Sequence, residues 1–505
     1  MNRTPQELCT SILVKIKNDI EDKLGKTVNK AVITVPAYFN INQREATLAS
    51  ADAAGFTVLK LLNEPTAAAL NYYFKNDCEE ENYCLVYDLG GGTFDVAILK
   101  RNSTNIDIIA VDGDNQLGGH DFDDLIIAYV CEKLGKDYKF NPKSDRRAMR
   151  RLRNKCEEAK IILSLAEETT IVLDKFVANY DTIEIDLTRE QFEEMADNLF
   201  RRTITILDNC LKSSNVPKND IKEVILSGGS TRIPKLQKMI SSYFDGKRLN
   251  KFKNPDECVA KGAALQAAML SSNPKQTLSE IHITDVIPLS LGISNFVGLM
   301  IFTLRRNTPI PSSATSTWFT SINRQTEMSF DIYEGERLDT RKNRHLGKLI
   351  LSNITEAPPG QYEIFVTMNV DQNGILTVKA KEKLKNNEKD LKIVYTRGNR
   401  SDTEVKNAVK DAEDNKEEDK CFKKFALSKE YLLSYCESAI YNFENKNLTK
   451  SHKEEYELCQ TTKSSGKLIN VGDEDKLNNL INVIEGKCKL LAMKYNFDLM
   501  PEKPT

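Results

Sequence analysis

The chain has 505 residues, with 71 Lys and Arg against 73 Asp and Glu, a formal net charge of −2. That length suggests about three domains of about 150 residues each, and the near-neutral balance excludes a broad electrostatic footprint for nucleic acid or for an anionic membrane. Eleven cysteines without Cys-x-x-Cys pairs, and four histidines (His120, His282, His345, His452) far apart in sequence, predict reduced thiols and no structural zinc. No run is apolar and long enough to span a bilayer, and the N-terminus lacks a signal-peptide core. Cytoplasm is the expected compartment, with the nucleus as the alternative.

Leu8, Ile12, Ile16 and Ile20 recur at helical spacing, Ala31 to Val35 reads as a strand ending at Pro36, and Gln43 to Ala54 is an alanine-rich helix. Gly25-Lys26-Thr27 resembles the end of a P-loop, but position 20 is Ile20 where the motif needs its first glycine, so it reads as a loop after a helix. Tyr83 to Tyr87 reads as a buried strand and Val96 to Leu99 as its antiparallel partner. Between them lies Asp88-Leu89-Gly90-Gly91-Gly92-Thr93-Phe94-Asp95. Only glycine lets successive backbone N–H groups converge on an anion without side-chain clash. Thr93 adds a hydroxyl donor, while Asp88 and Asp95 suit holding Mg²⁺ through water or orienting a nucleophilic water. An ordinary glycine-rich hairpin loop is the competing reading.

Leu117-Gly118-Gly119-His120-Asp121-Phe122-Asp123 is a second glycine turn, which a simple helix start explains equally well. Thr188 and Gln191 form a capping box opening a helix that carries Phe192, Met195 and Leu199. Val224-Ile225-Leu226, followed by Ser227-Gly228-Gly229-Ser230-Thr231-Arg232-Ile233-Pro234, reads as a strand, a small-residue turn and a helix opened by proline. Such a turn delivers backbone donors to a ligand.

Strands and helices alternate to near Met269, which puts a first domain boundary near Ser271. Ile281-His282-Ile283-Thr284 reads as a linker or as an edge strand. From Asp285 to about Arg400, short β-branched runs separated by turns predict an antiparallel β domain, including an Asn373-Gly374 turn between Phe365-Val366 and Ile375-Leu376. Ser401-Asp402-Thr403-Glu404 is a second capping box. Beyond it Phe425, Leu432, Tyr435, Cys436 and Ala439 form an apolar stripe that favours helices over a solvated charged tail.

These turns, with Asn63-Glu64-Pro65-Thr66-Ala67-Ala68-Ala69 and the helix Arg151 to Leu165, are similar to the 70-kilodalton heat-shock chaperone family, whose ATPase domain shares the actin and sugar-kinase fold. The similarity continues through Val286-Ile287-Pro288-Leu289-Ser290-Leu291-Gly292, Tyr333-Glu334-Gly335-Glu336-Arg337 and Asp371-Gln372-Asn373-Gly374-Ile375-Leu376. The resemblance implies a multidomain α/β, all-β and α chain. A partial actin-like nucleotide-binding domain would occupy residues 1–271, a linker 272–285, a β-sandwich 286–400, and a helical lid and tail 401–505.

By the same resemblance the ligands are ATP or ADP with Mg²⁺, and K⁺ as a further candidate. Glu64 and Asp88 are expected at the metal and the catalytic water, with Asp95 beside them and Thr93 at the γ-phosphate. Gly90, Gly91, Gly92, Gly118 and Gly119 belong to the phosphate turns. Gly228, Gly229, Ser230, Arg232 and Ile233 are expected against the nucleoside, across from Glu157, Lys160 and Ser164, with Asp256 at a further position of the pocket. Leu299, Met300, Ile301, Trp318, Ser321, Met328, Phe330 and Val370 would line a groove for extended hydrophobic polypeptide, although Trp318 and Val370 suit a sandwich core equally well.

The family pattern is not followed everywhere. Ile161 stands where arginine usually stacks on the adenine, which removes a cation–π contribution of about 0.5–2 kcal/mol. His120 replaces a glutamate, and His282 and Thr284 replace linker leucines. Relative to the family, the chain opens after the first phosphate loop and the γ-phosphate lysine. Weakened triphosphate binding, impaired hydrolysis and an unprotected sheet edge at Ala31 to Val35 are therefore expected.

The implied activity is that of an ATP-dependent protein-folding chaperone of the stress response. A nucleotide-independent peptide-binding holdase is the alternative, and a sugar kinase is made improbable by everything from Asp285 onward. A J-domain co-chaperone and a nucleotide-exchange factor are the implied partners. The end Pro501-Glu502-Lys503-Pro504-Thr505 lacks the acidic tail that recruits helical-repeat co-chaperones.

Overall fold

Val86, Tyr87, Leu89, Phe94, Val96 and Ile98 are wholly excluded from solvent, and the two strands that carry them form the centre of the first half of the chain. The computed structural model describes residues 4–74, 81–102, 104–177, 180–271, 281–383, 387–392 and 408–495. The chain divides into two units, Met1–Pro288 and Leu289–Thr505.

The first unit opens with α1 (Pro5–Leu24), β1 (Lys30–Val35), α2 (Ile41–Ala53), β2 (Thr57–Asn63) and α3 (Glu64–Tyr73). Thr4 closes a capping box on α1 with Glu7, and Gly25 ends the helix in the left-handed conformation. The stripe Leu8, Ile12, Ile16 and Ile20 stays 37–60% exposed, and α1 buries no residue. β1 pairs in parallel with β2 in a two-stranded sheet, so among the described residues it has a strand on one side only.

Next come β3 (Asn82–Leu89), β4 (Phe94–Arg101), β5 (Asn105–Asp114), α4 (Gly119–Tyr138) and α5 (Arg146–Leu163). The hairpin β6 (Glu168–Asp174) and β7 (Thr182–Thr188) precedes α6 (Arg189–Met195) and α7 (Asp197–Ser214). The unit closes with β8 (Ile221–Ser227), α8 (Pro234–Tyr243), β9 (Asn250–Lys251), α9 (Cys258–Met269) and β10 (His282–Val286). The Thr188–Gln191 capping box is formed, but it opens a helix that stops at Ala196, so Leu199 lies on α7 and not with Phe192 and Met195.

The central sheet of this unit runs β10-β5-β4-β3-β8-β9. β3, β4 and β5 are antiparallel neighbours, while β8 pairs in parallel with β3 and with β9. Because successive side chains point to opposite faces, Leu85, Tyr87 and Leu89 pack with Phe122 and Ile126 of α4 and Phe200 of α7, whereas Cys84 and Val86 pack with Ala68 and Leu70 of α3. A sheet covered on both faces reads as a continuous apolar run, and β3 does. The segment open to a linker or an edge-strand reading is a strand: β10 pairs in parallel with β5, His282 opposite Asn105. The first unit therefore extends to Pro288, past Ser271.

The second unit holds β11 (Leu291–Ser294), β12 (Met300–Leu304), β13 (Pro309–Ile310), β14 (Ser312–Phe319), β15 (Glu327–Glu334), β16 (Arg344–Ser352), β17 (Glu363–Val370), β18 (Leu376–Glu382) and β19 (Glu388–Lys392). Two four-stranded antiparallel sheets, β12-β11-β15-β16 and β14-β17-β18-β19, are built from them. The β17–β18 turn is held by Asp371, whose Oδ1 accepts from the N–H groups of Asn373 (2.8 Å) and Ile375 (2.9 Å), with Gly374 at φ +77°.

Helices follow at Ala408–Asp414, Lys416–Asn445, Lys453–Lys467 and Glu474–Tyr495. Phe425, Leu432, Tyr435, Cys436 and Ala439 are all buried there, packed with Cys459, Ile481 and Ile484. The capping box at Ser401 and the chain end at Pro501–Thr505 lie outside the described residues.

Arg337 fastens the helical segment to the sheets. Its Nη1 meets Asp411 at 2.7 Å, Nη2 meets Glu418 at 2.5 Å and Nε meets Asp419 at 2.9 Å, with the guanidinium only 4% exposed. Asp419 also accepts from the N–H of Leu338, and Leu299 packs on Phe422 and Ala426. Asp411 and Glu418 are half exposed and add little, whereas Asp419 is buried and depends on the pairing. Arg337→Ala should weaken this docking by about 3 kcal/mol, read as accelerated amide exchange through the first turns of the helix Lys416–Asn445. In the first unit, a Cβ on Gly262 of α9 would stand 1.9 Å from the Ala67 carbonyl oxygen of α3. Gly262→Ala should cost the first unit about 3 kcal/mol in a chemical denaturation experiment, because a backbone collision is relieved only by moving a helix.

Candidate functional site

Three glycine turns at the ends of β3, β5 and β8 are knitted together by their own backbones. Gly90 N–H donates to the Thr93 carbonyl at 3.0 Å and closes the first turn. Gly119 N–H donates to Gly90 O at 2.9 Å, and His120 N–H to Gly91 O at 2.8 Å, which joins the second turn to the first. Ser230 Oγ donates to Gly90 O at 2.9 Å and brings in the third. No side chain fits these approaches: a Cβ on Gly118 would lie 2.5 Å from the Gly92 nitrogen, and one on Gly228, at φ +84°, would lie 2.2 Å from Leu89 O. Gly91 and Gly92 are exposed, and their N–H groups make no hydrogen bond among the described residues.

A cleft of about 490 Å³ opens beside this knot. Of the residues expected there, Gly90, Gly91, Gly119, Glu157, Lys160, Ser164, Gly229, Ser230, Arg232, Ile233 and Asp256 line it. Gly92, Thr93, Gly118 and Gly228 sit in the adjoining turns and not on the wall. Ile161 lines the cleft at 54% exposure, so an apolar face is offered where the family pattern has a guanidinium, as expected from the sequence. Lys160 is held at 9% exposure between Asp123 Oδ1 (2.8 Å) and Gly119 O (3.0 Å), which orients it from α5 toward the second turn. Arg232 and Asp256 form an exposed pair at 3.2 Å. His120 lies on the wall, its Nδ1 3.6 Å from Asp123 Oδ2. Sequence reasoning passed over Asp123 as a partner of Lys160; its place four residues after Gly119, one helical turn along α4, was the available signal.

Glu64, Asp88 and Asp95 lie behind the turns, not in the cleft wall. β3 and β4 set Asp88 directly opposite Asp95, and α3 begins at Glu64. Burial pushes Asp88 up to about 6. Burial, with the Asp88 charge added, pushes Asp95 up to about 8 despite the Tyr38 N–H at 3.0 Å. Glu64 also rises to about 8, first from burial and then from Asp88 and Asp95. A glutamate at a helix N-terminus ordinarily favours its charged form, and here burial and two like charges outweigh the dipole. Asp88 Oδ2 is buried with no hydrogen-bond partner among the described residues. A short relay fixes the neighbourhood of Glu64: Arg44 Nη2 donates to Asn63 Oδ1, Asn63 Nδ2 donates to Asp285 Oδ1, and Thr66 Oγ1 donates to Asp285 Oδ2, the first two at 2.6 Å and the third at 3.2 Å. Asp285 comes from β10, 222 residues along the chain from Asn63, a pairing no local pattern announces.

The carboxylates fit a hard divalent cation. An orphaned buried oxygen and raised proton affinities mark negative charge short of a counter-ion, and the donors are all oxygen. Among the described residues no three Asp, Glu, His or Cys side chains are grouped as ligands for a metal ion.

In the second unit a separate groove of about 660 Å³ has Trp318, Ser321, Met328 and Phe330 on its walls, with Phe296 and Phe319. Trp318 lies edge-on to Phe330 at 5.8 Å and donates its Nε1–H to Ser316 Oγ. Glu430 of the helix Lys416–Asn445 also reaches this groove and accepts from Asn295 Nδ2 at 3.0 Å; burial raises its pKa. The other expected groove residues lie elsewhere. Leu299 is buried against Phe422, Met300 and Val370 are sandwich core, and Ile301 is half exposed on β12. A two-residue period separates the faces of a strand, and it does not say which face a groove occupies.

A family model described as Hsp70 protein matches residues 2–495. The chain is 42% identical over 436 residues to a heat shock 70 kDa protein of Neurospora crassa, covering 86% of this chain and 67% of that protein. Heat shock 70 kDa protein 2 of Paracoccidioides lutzii is 41% identical over 436 residues, covering 86% of this chain and 66% of that protein. Heat shock cognate 70 kDa protein 3 of Dictyostelium discoideum is 38% identical over 511 residues, covering 99% of this chain and 81% of that protein. The chain thus spans about two thirds of the length of the first two relatives. With the glycine knot, the buried carboxylates, the β unit and the helices at hand, the match over nearly the whole length means that this chain belongs to the Hsp70 family.

Proposed function

We propose that this chain is a heat-shock chaperone that binds apolar segments of unfolded polypeptides in the second-unit groove under the control of Mg²⁺ and ATP in the first-unit cleft. The observation that carries this reading is the buried pair Asp88 and Asp95, with the partly buried Glu64, behind three interlocked glycine turns. The free N–H groups of Gly91 and Gly92 suit phosphate oxygens, and Thr93 adds a hydroxyl donor beside them. Ile161, Ile233 and the stem of Arg232 offer a mostly apolar surface to a base, while Glu157 and Ser164 supply polar contacts. Mg²⁺, when bound with the nucleotide, supplies neutralisation of phosphate charge. Asp88 and Glu64 would hold its water shell, with Asp95 directly across the hairpin from Asp88. A carboxylate poised between about 6 and 8 also suits taking a proton from an attacking water. J-domain and exchange-factor partners, and a cytoplasmic location, remain part of the same proposal through the family.

In the groove, Met328 and the rings of Trp318 and Phe330 accept varied apolar side chains because thioether and ring contacts are adaptable. Unfolded client polypeptide is the substrate class these walls support.

Titration calorimetry with Mg·ATP and ADP tests the nucleotide half. Binding by the folded chain is expected, with Asp88→Asn weakening Mg·ATP about tenfold or more while leaving metal-free ADP nearly unchanged. A folded sample without detectable nucleotide binding would turn the reading to a nucleotide-independent holdase. The carboxylates also predict a pH dependence. In the folded state Glu64, Asp88 and Asp95 hold protons to higher pH than in the unfolded state, so their contribution to stability is greatest in acid and falls as pH rises from about 4 toward about 8. Urea unfolding at pH values of about 5.5 and 8 should show this fall, and the pair Glu64→Gln with Asp95→Asn should flatten it.

A further inference from the structure

The first unit carries a second concavity, of about 1030 Å³, on the side where β9 is the outermost strand of the central sheet. Apart from Tyr72, its lining comes from residues 234–253, and it contains Lys238, Lys247, Arg248, Lys251 and Lys253 without a single Asp or Glu. The whole chain is close to neutral, so this is a local accumulation of charge. Lys247 is engaged with Ile221 O, and Lys251 with Gln237 Oε1. Lys238, Arg248 and Lys253 are exposed, and none makes an ion pair or side-chain hydrogen bond among the described residues. Beyond β9 no further strand lies among the described residues, so the sheet ends here on backbone groups.

Two polyanions satisfy such a surface, an acidic polypeptide and a single-stranded nucleic acid. A nucleic acid needs open ring faces on which bases stack. The rings here are engaged: Tyr72 and Phe252 lie edge-on to each other at 6.1 Å, both half-buried, and Tyr72 is edge-on to Tyr73 as well. A sheet edge offers what a polypeptide uses, donors and acceptors spaced for an extended chain, with side-chain contacts supplying selectivity. A lysine on an edge strand, as Lys251 is on β9, and cations beside it disfavour cationic strands and favour acidic ones.

We propose that this cleft docks an extended acidic segment of a partner polypeptide, its backbone beside β9 and its carboxylates on Lys238, Arg248 and Lys253. The site is separate from the cleft at the glycine turns, so it serves recruitment of a partner and not nucleotide chemistry.

The test uses the full chain and a fluorescein-labelled ten-residue peptide rich in Glu and Asp, read by fluorescence anisotropy at low and physiological salt. Saturable binding that weakens with salt is expected, with a loss of about tenfold in the variant carrying Lys238→Glu, Arg248→Glu and Lys253→Glu. A peptide N-methylated at alternate residues should bind at least several-fold more weakly, because its backbone donors are blocked. Unchanged thermal melting and unchanged ADP affinity of the variant exclude misfolding, and Arg248→Glu alone serves if the triple variant does not fold. The proposal is overturned if no peptide binds at low salt, if the variant or the N-methylated peptide binds as well as the parent pair, or if an oligouridylate of equal charge displaces the peptide at lower concentration.

Discussion

Backbone-to-backbone contact at glycine is the constraint on which the first unit depends. Gly118 and Gly228 approach the backbone of the first turn at separations that no Cβ survives, hydrogen bonds at Gly90, Gly91 and Gly119 complete the contact, and the turns come from three different strand ends. Such contacts use up some peptide groups and free others. The carbonyls of Gly90 and Gly91 are satisfied inside the knot, while the N–H groups of Gly91 and Gly92 are left facing outward. A site built from main chain is rigid, because its position is set by the sheet and not by side-chain rotamers. The same logic appears at Gly262, where α9 rests on the carbonyl of Ala67 and so holds α3, whose first residue is Glu64.

The second constraint is electrostatic. Asp88 and Asp95 are buried and Glu64 is partly buried, and burial contributes more to their raised proton affinity than their mutual repulsion does. Such a cluster is costly for a folded chain in isolation and favourable once a cation arrives, which is how binding free energy becomes available to organise a site. Structural carboxylates elsewhere in the chain show the contrast. Asp419 is equally hidden, but it faces a guanidinium and a backbone N–H and needs nothing further.

In the second unit, contacts between the sheets and the helices among the described residues include the buried Arg337, an apolar contact at Leu299, Phe422 and Ala426, and the Asn295–Glu430 hydrogen bond. The helices carry their own core around Leu432, Cys436 and Ala439. Glu430 and Asn295 link the same helix to the groove, so its attachment and the groove's polarity are parts of one arrangement.

Much of this was legible in the residues themselves. The hairpin β3–β4 with its glycine turn, the strand and turn leading to the helix that opens at Pro234, the capping box at Thr188 and the turn at Asp371 are local, and local backbone chemistry decides them through φ preferences and short-range hydrogen bonds. What only the tertiary structure decided is long-range. No spacing could tell that Asp285 would brace Asn63, that β10 would join the sheet, that α1 would leave its apolar stripe in solvent, or that Met300 and Val370 would turn into the sandwich and away from the groove. Periodicity names a face and a capping box names an end. Which faces meet, and therefore which carboxylate loses its water, depends on contacts between segments tens to hundreds of residues apart, and these are set by packing the whole chain at once.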